Sequence, residues 1–332
     1  LNKKNKLIIL ILIILVFASI TLNIFVGSAD IKFIDAVKLL FSGSDGSPEY
    51  MIIHTIRLPR ALLSAILGGA LALSGYLLQT YFENPLAGPF VLGISSGAKT
   101  FVALYLVFLA ARIGFSSSIL LVLSSFIGAM LTTFVLILIA RKVKNMETLL
   151  IAGVMIGYIT TAITDLIVTF ASDSNIVNLR DWSKGSFSGA KLSDVKICFV
   201  MTIILLILSI LLVKPIGALR LGESYAFSMG VNVKALRIGV ILISSLLSAE
   251  VVAYAGPISF VGIAVPCLIR LIMKTDRPSI MIPCSFLLGS AFVGFSDLIA
   301  RAAFAPVEMN ISTVTAIFGA PVVIFMLLRR KH

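Results

Sequence analysis

Few residues in this 332-residue chain are equipped for chemistry, and they are scattered. The run Gly93-Ile94-Ser95-Ser96-Gly97-Ala98-Lys99-Thr100 comes close to the loop whose backbone amides wrap nucleotide phosphates. That loop needs a glycine directly before its lysine and a strand leading into it. Here Ala98 precedes the lysine and apolar sequence follows, so no nucleotide site is expected. Cys198, Cys267 and Cys284 lie in apolar stretches without ligand-like spacing and read as small buried hydrophobes. His54 and His332 are the only histidines, and no carboxylate–histidine cluster offers acid–base catalysis. The chain is therefore expected to be no enzyme, with neither cofactor nor metal site, and any work it does must draw energy from a partner or an ion gradient. Asp165, Glu250 and Lys99 fall inside apolar runs, where a charge costs at least about 2.5–3.5 kcal/mol. For Asp165 and Glu250 two readings stand open, a place on a solute path or a paired structural group. Lys99 lies near the end of its run. Asp297 and Arg301, four apart, have the spacing to pair with each other.

The elements that hold these residues follow from composition. Mean hydropathy is +1.11, with 59% hydrophobic and 13% charged residues, against about 25% charged in soluble domains. The apolar runs are long enough to cross a bilayer, which takes about 20 residues of helix. Exposed sheet edges cannot face lipid and the runs lack barrel alternation, so the fold class is all-α, a polytopic transmembrane helical bundle. Ten spans are predicted, near 7–27, 60–82, 90–110, 117–140, 147–171, 197–213, 237–255, 258–273, 279–299 and 312–328. The first follows Lys3, Lys4 and Lys6, is longer than a signal-peptide core of about 7–15 residues, and reads as a retained helix.

The net charge of +12 arises from basic clusters between spans rather than from a nucleic-acid-binding surface. One side of the membrane collects sixteen of the 27 basic residues, among them Arg141, Lys142, Lys144, Arg220, Arg237, Arg270, Arg330 and Lys331. The other side holds ten, including Arg57, Arg60, Arg112, Arg180 and Arg301, diluted by acids such as Asp30 and Asp45. The positive-inside rule then puts both termini in the cytoplasm. Residues 31–41 read as an external surface helix, and 172–196 as an external loop around Trp182. The longest cytoplasmic loop, 214–236, carries Leu221, Ala226, Phe227, Met229 and Val231 and suggests short helices that dock on something. A single transmembrane unit, 1–332, is expected.

Three blocks carry a more specific signal. Residues 57–98 place Arg57 and Arg60 at the mouth of an apolar run and stack Gly68, Gly69, Ala70, Ala72, Ser74 and Gly75 along it. Asn84-Pro85-Leu86-Ala87-Gly88-Pro89 then forces a turn, because proline removes backbone donors and stops helices. The second block is Leu221-Gly222-Glu223 through Met229-Gly230-Val231. The third runs from Gly256-Pro257 through Gly262, Pro266 and Arg270 to Asp297, Arg301, Glu308 and Gly319-Ala320-Pro321. Together, from about residue 50 to the C-terminus, they resemble the FecCD-type permeases, membrane subunits of type II ABC importers for iron–siderophore complexes, haem and vitamin B12. The chain departs from the family at Cys267, where a histidine is usual, and near Asn310 and Ser312, where proline and glycine are usual.

The resemblance implies a cell-membrane permease that moves an iron chelate, a ferric siderophore or haem, into the cytoplasm. Cobalamin is the alternative cargo. An ion-coupled secondary transporter using Asp165 and Glu250 is the alternative class, though no internal repeat supports it. Implied partners are two ATP-binding-cassette ATPase subunits, an external substrate-binding (lipo)protein, a second permease copy or a sister permease, and membrane lipid. By the same resemblance, Arg57, Arg60 and Arg301 receive acidic residues of the binding protein. Asn84, Pro85 and Leu86 form the cytoplasmic gate, and Gly222, Glu223, Ala226, Met229, Gly230 and Val231 couple to the ATPase.

Overall fold

The computed structural model describes residues 3–27, 31–41, 47–110, 117–143, 145–305 and 307–329. Asp30, Asp45, Arg112, Lys144, Arg330 and Lys331 of the charge map lie outside the described residues. Among those described, the chain forms fourteen helices and no strand. They are α1 (Lys3–Phe25), α2 (Phe33–Phe41), α3 (Pro48–Tyr81), α4 (Ile94–Ala110), α5 (Ser118–Lys142), α6 (Met146–Thr169) and α7 (Asp173–Ser183). Then follow α8 (Leu192–Leu211), α9 (Val213–Leu219), α10 (Glu223–Ser228), α11 (Val233–Ala255), α12 (Val261–Met273), α13 (Pro278–Ala302) and α14 (Ile311–Arg329). Eight are long and apolar enough to span a bilayer, and α4 and α12 are shorter apolar helices. All ten expected spans therefore have a helix.

The two short helices start later than their hydropathy suggests, and the reason is the same in both. Gly93 before α4 and Phe260 before α12 adopt left-handed backbone conformations, which end the preceding turn and start the helix afresh. Gly93 lies against Gly153 and Gly157 of α6, with no room for a side chain. In the other direction α3 begins well before residue 60. It opens at Pro48 with Ser47 Oγ accepting from Tyr50 N (3.2 Å), and passes through a π-helical stretch, Ile52–Arg57.

The most buried span is α3, which is wrapped by α1, α8, α11, α12 and α13. Its small-residue stripe explains this position. Gly75 leaves no space for even a methyl group against the backbone of Gly262 in α12, and Gly68 meets Gly289 of α13 in the same way. Within lipid, where apolar surface gains nothing by leaving its solvent, such backbone approach is what drives helix association. A second group, α4 with α5, α6 and α11, packs through Gly97 and Gly128. The helix α6 lies at the edge, touching mainly α4 and α5.

Candidate functional site at the two ends of the bundle

The outer end, so named from the charge bias, gathers the three arginines around the C-terminus of α1. A helix C-terminus presents carbonyls without intrahelical donors and a partial negative charge, which cations satisfy. Arg57 Nη1 donates to Ile24 O (3.1 Å) and Phe25 O (3.2 Å), and Arg301 Nη2 donates to Asn23 O (2.7 Å). Asn23 in turn donates from Nδ2 to Gly294 O (2.8 Å), tying α1 to α13. Arg60 grips two carboxylates at once. Nε and Nη2 hold Asp297 (2.9 and 3.0 Å), and Nη1 holds Glu308 Oε1 (3.1 Å). The planar guanidinium fork suits such bidentate pairing.

These contacts change two expectations. Asp297 pairs with Arg60, 237 residues away in sequence, and not with Arg301 on its own helix. Arg57 and Arg60, expected to face an external partner, are only 3% and 5% exposed. Both are consumed in fastening α1, α3, α13 and the loop before α14. Arg301 is half-buried, and the Glu308 side chain is 46% exposed.

The inner end is built differently. Between α3 and α4 the turn at Asn84 is closed by its own side chain, whose Oδ1 accepts from Leu86 N (2.9 Å). Asn84 and Pro85 are half-buried and Leu86 is exposed. The turn separates two cavities of about 510 and 590 Å³, the first bounded by Gln79, Arg220, Arg270 and Asp276. Asp276 is shared by Arg270 Nε (2.6 Å) and Arg220 Nη2 (3.3 Å). Gln79 Nε2 donates to Ile263 O (3.0 Å), and Cys267 Sγ lies 3.9 Å from both Gln79 Oε1 and Pro85 O. The residue that departs from the family pattern thus sits behind the turn. Gln79 escaped the sequence reading, and so did the grouping of Arg220, Arg270 and Asp276 around it, since nothing local marks them as one cluster.

Beyond this turn α10 projects from the inner end. Left-handed Gly222 and Gly230 bracket it, and only glycine adopts these conformations without strain. On and beside it Leu221, Tyr225, Phe227 and Met229 are exposed, Phe227 the most at 79%, along with the polar Glu223, Ser224 and Ser228. Ala226, expected on the docking face, is fully buried and instead seats α10 on the bundle, and Val231 is half-buried against the core. Glu223 pairs with Arg237 (3.7 Å), which also donates to Val143 O (2.8 Å). A groove of about 1200 Å³ runs between Phe227, Gly230 and the end of α5.

Of the charges inside spans, Glu250 is fully buried between α8 and α11, where Thr202 Oγ1 donates to its Oε1 (3.1 Å). It faces the interior of this subunit. Asp165 lies exposed on α6.

A helical bundle with eight helices long and apolar enough to span a bilayer is a multi-pass membrane protein. Residues 11–329 match the model of the FecCD transport family, and the chain belongs to that family. It is 34% identical to the Fe(3+)-citrate import system permease protein of Bacillus subtilis, over 99% of this chain and 96% of that protein. It is 32% identical to the hemin transport system permease protein of Yersinia pestis, with 92% of each chain covered. It is 36% identical to the vitamin B12 import system permease protein of Klebsiella pneumoniae, over 85% of this chain and 83% of that one. Among solved structures, a chain of the metal-chelate ABC-transporter type in an inward-facing conformation superposes with a TM-score of 0.84. It is 27% identical, covering 97% of this chain and 99% of the other.

Proposed function

We propose that this chain carries an iron chelate, a ferric siderophore or haem, into the cytoplasm as the permease of an ABC importer. The observation that carries the reading is α10, a short helix held out at the cytoplasmic end with four exposed apolar side chains beside a groove. Such a patch in water marks a surface awaiting a partner. Its partner is an ATPase subunit, seated against Tyr225, Phe227 and Met229, with Gly222 and Gly230 setting the angle of the helix. Glu223, Ala226 and Val231 anchor that helix to the bundle rather than touching the ATPase.

The gate is the Asn84-Pro85-Leu86 turn, with Leu86 the side chain free to close the pathway. An external binding protein docks at the outer end, where Arg301 is the accessible cation and Arg57 and Arg60 hold the frame. A second copy or a sister permease completes the pathway. Ion coupling through Asp165 and Glu250 is disfavoured, because Glu250 is buried between α8 and α11 while Asp165 lies exposed on α6 at the edge of the bundle.

The test is reconstitution with an ATPase and a binding protein encoded beside this chain, followed by uptake of ⁵⁵Fe chelates or labelled cobalamin into proteoliposomes. ATP-dependent iron uptake that needs the binding protein is expected. Uptake of cobalamin alone would reassign the cargo, and uptake driven by an ion gradient without ATP would overturn the class.

A further inference from the structure

The helix α6 is the least buried of the eight long spans. Its inner side packs on α4, where Thr100 Oγ1 donates to Thr160 O (2.9 Å) and lies 2.8 Å from Thr164 Oγ1. The outward side divides lengthwise. Met155, Ile159, Leu166 and Phe170 recur at helical spacing as an apolar strip suited to lipid. Beside it Tyr158, Thr161, Asp165 and Thr169 form a second exposed strip, also three or four residues apart. Thr161 and Thr169 satisfy their hydroxyls within the helix, donating to Gly157 O (2.8 Å) and Asp165 O (3.0 Å). The Asp165 carboxylate has no hydrogen bond or ion pair with any described residue. A charge turned to hydrocarbon is strongly disfavoured, so the Asp165 carboxylate needs water beside it. Asp165 lies about one turn from the outer end of α6.

We propose that Asp165 is a charge filter at the outer mouth of the pathway, selecting neutral or cationic ferric chelates, such as trihydroxamates, over polyanionic ones such as citrate or catecholate complexes. The proposal rests on the permease reading above. With two copies, two carboxylates face one opening, and low-dielectric walls focus their field. A cationic or neutral chelate is admitted, while each negative charge on a chelate adds repulsion.

The test reads the field directly. Thr161→Cys is placed in a background with Cys198, Cys267 and Cys284 changed to alanine, and the complex with its ATPase is held in nanodiscs. Positively and negatively charged methanethiosulfonate reagents are then applied. The cationic reagent should react faster, relative to a free thiol, by about tenfold or more. Asp165→Asn should bring the ratio to within about threefold, and Asp165→Glu should preserve it. A Thr161→Cys thiol inert to both reagents in every nucleotide state, or a ratio indifferent to Asp165→Asn, would overturn the filter. In proteoliposomes with the binding protein, cationic ferrioxamine B and a neutral ferric trihydroxamate should enter in preference to ferric dicitrate; preference for ferric dicitrate would also overturn it. Loss of ATP-dependent uptake of every chelate would count against the permease reading, while the labelling ratio would still decide the filter.

Discussion

The two ends of the bundle spend their charges in opposite ways. At the outer end Arg57 and Arg60 are buried and Arg301 is half-buried, and together they bond to backbone carbonyls of α1 and to Asp297 and Glu308, binding four distant segments into one frame. At the inner end the ion pairs are more open to solvent, Asp276 being 41% and Glu223 56% exposed, and the surface beside them is apolar. A network of largely buried arginines bonded within the chain fixes geometry. An exposed apolar helix on glycine pivots is a surface made to meet another protein. The contrast says that the outer end is held together within the chain, whereas the inner end leaves an apolar surface uncovered.

The comparison breaks most sharply at Arg60. Arg60→Met leaves Asp297 buried and uncompensated, and should destabilise the detergent-solubilised subunit by about 3–5 kcal/mol, read from its thermal unfolding. Adding Asp297→Leu should recover much of that loss, because a charge-free pair has no desolvation cost to meet. A single mutant as stable as the parent would show that the outer network is not a frame. Next in size is Gly75→Ala, which forces α3 away from Gly262 and should cost about 1–3 kcal/mol in the same measurement. The smallest effect belongs to the inner end. Asp276→Ala removes solvent-exposed pairs and should cost only about 0.2–1 kcal/mol. A loss as large as that of Arg60→Met would erase the distinction between the two ends.

The Asn84 turn offers a sharper probe of the inner end. Leu86→Cys, with the three native cysteines replaced, should react with an impermeant thiol reagent from the cytoplasmic side at a rate that changes with the nucleotide bound to the complex. A rate indifferent to nucleotide would make the turn a plain connection.

Much of this architecture was legible in the sequence because it depends on local pattern. The ten spans follow from apolar runs, the tight packing of α3 from its small residues, and the turn at Asn84 from two prolines. What escaped depends on contacts across the chain. The i,i+4 spacing of Asp297 and Arg301 suggested a pair, yet Asp297 is bonded to Arg60 and Arg301 to the end of α1. Spacing cannot reveal that the C-terminus of α1 needs donors, nor that Thr202 meets Glu250 from another helix. The left-handed starts of α4 and α12 were hidden for a related reason, since hydropathy continues smoothly across residues where the backbone breaks.

The central claim is that α10 transmits ATP hydrolysis to the bundle, and one double substitution tests it. Phe227→Asp with Met229→Asp puts two charges on the exposed face without touching Ala226 or the core beneath it. In the reconstituted importer, ATP-dependent chelate uptake should fall by at least about tenfold, as expected for removing a central apolar anchor from an interface. The thermal unfolding of the isolated permease should stay within about 0.5 kcal/mol of the parent. Uptake at the parental rate by a correctly folded double mutant would contradict the account.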